Sequence, residues 1–305
     1  MGPAEWGILI ALSILWGGSF FFLEIMLRAW PPFTVVLARV GFGALVLWAF
    51  MLATGRAMPR DWRIWRAFAI VAFLGNALPF VLFAWGQQRI DSGLASILNA
   101  TTPLWGVVVA HLFTRDERAT PTKIIGVAFG LAGVVAMIGG EAFGSGVGGS
   151  AIAQIACLVA TLCYALAGVY ARKFAAMGVG PWAVSTGQLA AAAIMLVPLS
   201  LAEAPWTLPA PDATVIWATL GMVILATAIP YVLYFRLIER AGASNAFLCT
   251  FLIPVVAILL GVLVLGEQIE RRHLIGMALI AAGLIVIDGR STRWLGGATP
   301  ESTLR

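Results

Sequence analysis

Residues 78–83 of the chain read LPFVLF, and residues 229–234, 151 positions later, read IPYVLY. At the same offset Pro103 falls on Pro254, which lies in another apolar stretch. Prolines that recur within matching apolar stretches indicate an internal duplication, in which the two halves of the chain share one fold.

The apolar runs around these motifs decide the class of protein. The 305 residues are 61% hydrophobic and only 11% charged, whereas roughly 25% of residues in soluble proteins are charged. A water-soluble enzyme is therefore excluded. Ten runs approach the length of a membrane crossing, which takes about 20 apolar residues. They cover residues 6–27, 32–53, 64–85, 92–113, 123–139, 151–171, 182–202, 213–235, 244–265 and 272–288.

We therefore predict an all-α integral membrane protein with ten transmembrane helices, five in each half. Because five is odd, the second half enters the membrane from the opposite face, which gives two inverted repeats around a central cavity. The predicted units are a first repeat at 1–140, a Gly-rich linker at 141–150, a second repeat at 151–289 and a cytoplasmic tail at 290–305. Inverted halves can open a midplane site to one side and then the other, so the architecture predicts a transporter that works by alternating access.

The basic residues predict the orientation of these helices. If both termini are cytoplasmic, the inner loops and tail hold 14 of the 19 lysines and arginines, and the outer loops hold 4. Positive charge accumulates on the cytoplasmic side of membrane proteins. We therefore expect the N- and C-termini in the cytoplasm.

Motifs in both halves resemble one family. Residues 93–104 (GLASILNATTPL) and 126–134 (GVAFGLAGV) resemble the fourth and fifth helices of EamA-type members of the drug/metabolite transporter superfamily. The segments that resemble its eighth to tenth helices are residues 231–242, 252–255 (LIPV), 265–267 (LGE) and 276–283. The first half departs from the family pattern at residues 115–117, which read RDE where Gly-Glu is usual.

The resemblance implies a function. EamA-type proteins are inner-membrane exporters of small metabolites, and the size and aromatic content of this chain are similar to those of YddG-like amino-acid exporters. The expected cargo is a small amphipathic metabolite, with neutral and aromatic amino acids first. Export of lipophilic drugs or other metabolites is the alternative within transport, and a passive channel or scaffold is the alternative outside it.

Polar and aromatic residues recur at helical spacing on the helices expected around the cavity. Amides buried in lipid-embedded helices need partners, so these faces are expected to point inward. The candidate substrate-binding residues are Trp16, Asn76, Phe80, Asn99, Tyr164, Tyr231, Tyr234 and Asn245. Hydrogen bonding or packing between helices is the alternative for each of them. Amides and ring faces suit a zwitterion with an apolar or aromatic side chain.

Arg39 is the one charged residue clear of the ends of the predicted helices. It lies seven residues past Pro32, about 10 Å along the axis at 1.5 Å per residue. An arginine at this depth needs a partner or a water-filled space. It pairs with Glu24, the nearest carboxylate in the sequence, or bonds carbonyl groups and so fixes two helices, or contacts a substrate carboxylate. Gln188 occupies the repeat-related position.

Four prolines are candidate gating kinks: Pro79, Pro103, Pro230 and Pro254. A proline within a helix leaves one carbonyl without its usual donor and bends the helix. Kinks at paired positions of the two halves favour helices that move during gating.

Glycines give the fifth and tenth helices small faces, at Gly126, Gly130, Gly133, Gly276 and Gly283. Small faces of this kind let two helices approach closely. They serve either packing within a monomer or a contact between the subunits of a homodimer.

The sequence indicates no cofactor, metal site or nucleic-acid partner, so the expected partners are a small-molecule substrate and the lipid bilayer. Cys157, Cys163 and Cys249 all lie in apolar runs, which argues against disulfides and zinc. No phosphate-binding G-x-x-x-x-G-K-[ST] motif occurs. Because no Asp or Glu lies clear of a helix end, we predict movement down a gradient rather than proton coupling.

Overall fold

The computed structural model describes residues 2–114, 119–138, 149–241 and 249–288, and within these ranges the chain forms ten helical segments and no strand. Their bounds are α1 Pro3–Met26, α2 Pro32–Ala53, α3 Trp62–Ala72 with Phe73–Ala77 and Leu78–Gln87, α4 Ser92–Asn99 with Thr102–Phe113, α5 Pro121–Ile138, α6 Gly149–Ala176, α7 Pro181–Ala202, α8 Ala213–Leu220 with Gly221–Ala228 and Ile229–Ala241, α9 Cys249–Leu260 with Gly261–Leu265, and α10 Arg271–Asp288. The predicted linker at 141–150 lies outside the described residues except for its last two positions, and the tail at 290–305 lies outside them entirely.

Seven helices of the described part are long and apolar enough to cross a membrane, namely α1 to α4 and α6 to α8. Two shorter apolar helices, Pro121–Met137 and Leu252–Leu265, lie within α5 and α9. Large apolar side chains such as Leu45, Ile194 and Leu263 are 64%, 68% and 77% exposed, as expected where a side chain meets lipid rather than water. The predicted all-α, multi-pass membrane fold is confirmed.

The helix starts follow local rules. Proline, which lacks an N–H and is preset for helical φ, opens α1, α2, α5 and α7. Asp61 and Asp212 cap α3 and α8 by accepting a hydrogen bond from a backbone N–H two or three residues later, each at 2.8 Å. The helix boundaries are therefore encoded locally.

The packing of the helices is that of two inverted repeats. The second and fifth helices of each half pack against their own counterparts, so α2 lies on α7 and α5 lies on α10. The remaining contacts also come in related pairs, because α1 packs on α8 and α9, whereas α6 packs on α3 and α4. Each half therefore completes the other, as an approximate two-fold relation between the repeats requires.

Glycines let α5 and α10 approach within backbone contact. A Cβ at Gly133 would lie 2.6 Å from the Gly276 carbonyl oxygen, and one at Gly126 would lie 2.6 Å from the Gly283 carbonyl oxygen. Any larger residue would force the two helices apart. These faces thus pack within one chain, which was one of the two alternatives. A homodimer through other faces of α5 and α10 stays a prediction.

Two carboxylates join helix ends on the side that the arginine distribution predicts to be external. Glu267, just beyond α9, accepts hydrogen bonds from the backbone N–H groups of Ser92 and Gly93 at 2.9 and 3.0 Å, at the start of α4. Glu203, just beyond α7, accepts from the N–H groups of Phe33 and Thr34 at 3.1 and 2.8 Å, at the start of α2. Each carboxylate satisfies helix N–H groups that lack a partner within the helix.

A third carboxyl group lies beside this contact. Burial raises the pKa of Asp91, and the nearby carboxylates of Glu267 and Glu270 raise it further. Glu270 is exposed, and its pKa is lowered because Arg272 donates a hydrogen bond to it at 2.9 Å. The ionised form of Asp91 is therefore disfavoured in the folded protein.

Candidate functional site

A cavity of about 340 Å³ lies between the two repeats. This volume is in the range of roughly 300–1,000 Å³ that is typical of small-molecule sites. Its wall consists of Trp16, Ser19, Phe20, Leu23, Val35, Val36, Arg39, Gly75, Phe80, Phe83, Asn99, Thr102, Tyr164, Leu189, Ala226, Thr227, Tyr231, Tyr234, Cys249, Thr250 and Ile253. Every described helix except α5 and α10 contributes, so those two form a pair outside the cavity.

Six of the eight predicted substrate-binding residues line this cavity: Trp16, Phe80, Asn99, Tyr164, Tyr231 and Tyr234. Asn245 lies outside the described residues. Asn76 is the exception within them, because it is only 2% exposed and is absent from the wall, where Gly75 stands instead. It lies close to Tyr231, and its Oδ1 atom is buried without a hydrogen-bond partner among the described residues.

Asn76 is thus buried in the helix packing rather than in the cavity wall, and the reason lies in the backbone. Its role in substrate binding stays a prediction. Phe73–Ala77 is a π-helical segment within α3. A π-helical turn holds more residues than an α-helical turn, so it shifts the facing of the residues around it. A face drawn at regular α-helical spacing loses its register there, and Gly75 replaces Asn76 at the cavity.

The second repeat also contains a π-helical segment. Gly221–Ala228 is a π-helical segment of α8 that contributes Ala226 and Thr227 to the wall. In both halves the π-helical segment ends just before the repeat motif begins, so the shared prolines, Pro79 and Pro230, each occupy the second position of the α-helix that follows. A widened turn and a proline together remove regular backbone hydrogen bonds from one stretch.

The other two candidate kinks differ from this pair. Pro103 follows a break in α4 between Asn99 and Thr102, whereas Pro254 lies inside the uninterrupted helix Cys249–Leu260. The four prolines are thus not equivalent in shape, and their role in gating stays a prediction.

Seven of the 21 wall residues carry aromatic rings. Trp16 and Tyr234 face each other with ring centroids 5.4 Å apart. On the opposite side Tyr164 stacks on Phe83 at 6.2 Å and meets Phe80 edge-on at 6.3 Å. Such rings offer a guest apolar faces together with the hydroxyl groups of the two tyrosines.

Arg39 is the exceptional residue of the wall. Its guanidinium carbon lies 3.9 Å from the centroid of the Phe80 ring, and its Nε atom is buried without a hydrogen-bond partner. No described residue forms an ion pair or hydrogen bond with it. The titratable groups closest to it are the phenols of Tyr164 and Tyr231, which are neutral near pH 7. The cation therefore has a ring beneath it and the cavity in front of it.

The alternative in which Arg39 pairs with Glu24 is wrong. Glu24 lies near the end of α1 and is bonded to α3, where Gln87 donates from Nε2 to its carboxylate at 3.3 Å. Arg39 lies two helical turns inside α2 and contacts Phe80, seven residues before Gln87 along α3. The two side chains therefore reach α3 at different depths, about 10 Å apart along its axis.

Gln188, the repeat-related counterpart of Arg39, also reaches the cavity region. Its Nε2 donates to the Tyr231 hydroxyl oxygen at 3.4 Å. An amide from α7 thus contacts this phenol at the wall.

Sequence reasoning missed part of the wall. The candidate substrate-binding residues come from the first, third, fourth, sixth, eighth and ninth predicted helices, and Arg39 is the candidate from the second. The structure adds Val35 and Val36 from α2 and Leu189 from α7. These residues are ordinary apolar positions, so only their place in the fold distinguishes them. No Asp or Glu of the described residues lines the cavity.

Comparisons with known proteins agree with this architecture. The model of the EamA-like transporter family matches residues 5–139 and again residues 151–288. A solved crystal structure has the same fold, with a TM-score of 0.67 and 21% identity over 96% of this chain and 99% of that chain.

Similar curated proteins are named as transporters. The inner membrane transporter YedA of Escherichia coli is 26% identical over 92% of this chain and 89% of its own length. The transporter YoaV of Bacillus subtilis is 24% identical over 91% and 94%. A Streptantibioticus cattleyicolor protein named "Probable terminal-alkyne amino-acid exporter" is 27% identical over 95% of both chains. With its two family matches, ten helices in the part of the chain that the structure describes and a cavity between the two repeats, this chain belongs to the EamA-like transporter family and is a membrane transporter, not an enzyme.

Proposed function

We propose that the protein exports small amphipathic carboxylates from the cytoplasm by alternating access, with neutral and aromatic amino acids as the first class to test. In this proposal it resides in the inner membrane with both termini in the cytoplasm. The observation that carries the proposal is the guanidinium of Arg39, which faces an aromatic cavity and has no anionic partner among the described residues.

The chemistry of the wall supports this cargo. Arginine binds a carboxylate through two parallel charge-assisted hydrogen bonds. The rings of Trp16, Tyr234 and Tyr164 then surround the body of the guest with apolar faces, and Asn99 supplies an amide. A relative over nearly its whole length carries the name of an amino-acid exporter. The same wall suits a lipophilic drug less well, because such a guest leaves the buried cation without a partner.

Reconstitution into liposomes tests the proposal. We expect saturable uptake of labelled phenylalanine or another neutral amino acid from a panel of solutes. Asn99→Ala and Tyr234→Ala should each reduce the rate severalfold, because each removes part of the wall. Leu45→Ala is the matched control, since Leu45 is 64% exposed on the outer surface of α2, and it should transport at the parental rate.

The proposal has clear ways to fail. Unsaturable flux would indicate a passive channel, and saturable transport of uncharged drugs alone would indicate the alternative cargo. If Asn99→Ala and Tyr234→Ala both transport a good substrate as fast as Leu45→Ala, the cavity is not the transport site.

A further inference from the structure

The wall of the cavity carries a charge that an amino acid does not balance. Arg39 contributes one positive charge, and no described wall residue contributes a negative one. Glu24 is turned to Gln87. At the outer helix ends Glu267, Glu203 and Asp212 cap α4, α2 and α8, and Asp91 lies near Glu267 and Glu270. Arg39 is therefore a buried cation at the cavity wall with no anionic partner among the described residues.

A zwitterion satisfies this site only in part. Its carboxylate can pair with Arg39, but covalent geometry keeps its α-ammonium within roughly 6 Å of the same guanidinium. In a cavity of low dielectric constant two cations at this distance repel each other appreciably. The ring faces can attract an ammonium, but more weakly than a carboxylate would. The face of Phe80 is already covered by Arg39 itself.

We propose that the transported species is a singly charged organic anion, with its carboxylate or sulfonate on Arg39 and an apolar or aromatic body against the rings. This rests on the proposed function, because it assigns the charge class of the cargo in the same site. It favours 2-hydroxy, 2-oxo or deaminated acids over the amino acids that share their carbon skeletons. The loaded site is then neutral, whereas a zwitterion leaves it with a net charge of +1.

The test compares guests that share a phenyl-bearing skeleton and differ in charge. Radiolabelled 3-phenylpropionate is bound to the purified full-length protein in detergent. Four unlabelled guests then compete with it. Near pH 7, 2-phenylethanesulfonate is an anion, phenylalanine a zwitterion, phenylalaninamide a cation and 3-phenylpropanamide a neutral molecule. The sulfonate stays ionised at every pH used, so it reports on the anion itself.

We expect the sulfonate to compete as well as 3-phenylpropionate and phenylalanine to compete at least about tenfold more weakly, the factor that one charged hydrogen-bonding contact supplies. Phenylalaninamide should compete least. Arg39→Gln should weaken both anions by about 10- to 100-fold and weaken 3-phenylpropanamide by a smaller factor, because the amide brings no charge to the site. Arg39→Lys should keep part of the preference for anions. A Tm within about 2 °C of the parent shows that each variant retains the fold.

The outcomes separate this inference from the proposed function. Phenylalanine that binds as tightly as 3-phenylpropionate, or more tightly, overturns the anion proposal and leaves amino-acid export standing. Anion binding that persists unchanged in Arg39→Gln also overturns the proposal, because a group other than Arg39 would then bind the negative charge of the guest. If none of the five guests binds, the proposed function falls together with the inference.

Discussion

Replacing Glu267 by glutamine tests whether the contact between the two repeats at the outer end is held by charge. The carboxylate accepts two backbone N–H groups at the start of α4, from Ser92 at 2.9 Å and Gly93 at 3.0 Å. Glutamine has almost the same shape but only one oxygen, so its NH₂ group must face one of the two donors. Glu267→Gln therefore removes one acceptor and the negative charge without creating a cavity.

The expected cost follows from these two losses. A hydrogen bond to a charged group contributes about 1.5–3 kcal/mol, and a negative charge at a helix N-terminus contributes a further 0.3–1 kcal/mol or so. The free energy of unfolding should thus fall by about 2–4 kcal/mol. At about 2 °C per kcal/mol for a large domain, the Tm in detergent should fall by roughly 4–8 °C.

Glu270→Gln is the matched control, because it makes the same chemical change three residues away. Glu270 is exposed and pairs only with Arg272, at 2.8 Å, and exposed ion pairs contribute about 0–1 kcal/mol. Its Tm should stay within about 2 °C of the parent. Both variants are compared by thermal unfolding of the purified protein at one pH and salt concentration. Equal Tm values for Glu267→Gln and Glu270→Gln would refute the argument that the helix cap holds the repeats together.

Three further predictions concern packing, titration and orientation. Gly133→Ala should lower the Tm by several degrees, because its Cβ would lie 2.6 Å from a carbonyl oxygen of α10. Gly168→Ala is the control and should leave the Tm equal or higher, because a Cβ at Gly168 would have no neighbouring atom within 4 Å. Equal losses of Tm in the two variants would show that α5 and α10 do not pack this closely. The raised pKa of Asp91 means that its ionised form destabilises the fold, so Asp91→Asn should raise the Tm near pH 7, and the gain should shrink as the pH falls through the pKa and the parental carboxyl becomes protonated. A gain that is the same at pH 7 and pH 4 contradicts this reasoning. A single cysteine placed within residues 141–148 should react with an impermeant thiol reagent from outside the cell, and one beside Arg60 should not, because basic residues concentrate on the cytoplasmic side. The opposite labelling pattern would contradict the predicted orientation.

The sequence by itself determined the membrane class, the number of helices and their division into two inverted halves. These features depend on the apolar content of runs of about 20 residues and on a repeat offset of 151. Both can be read along the chain without knowing which helices touch. The aromatic half of the site was equally accessible, since Trp16, Phe80, Tyr231 and Tyr234 follow regular helical spacing and all reach the cavity.

Only the tertiary structure decided which groups contact one another. Whether Arg39 pairs with Glu24 or lines the cavity depends on where α1, α2 and α3 place their side chains, because a charge pair forms over a few ångströms of space rather than over a stretch of sequence. The exchange of Asn76 for Gly75 arises from a π-helical turn, which periodicity at 3.6 residues does not reveal. The glycines of α5 predicted close packing against another helix. Only the three-dimensional structure shows that this helix is α10, with the Gly276 carbonyl as the neighbour of Gly133.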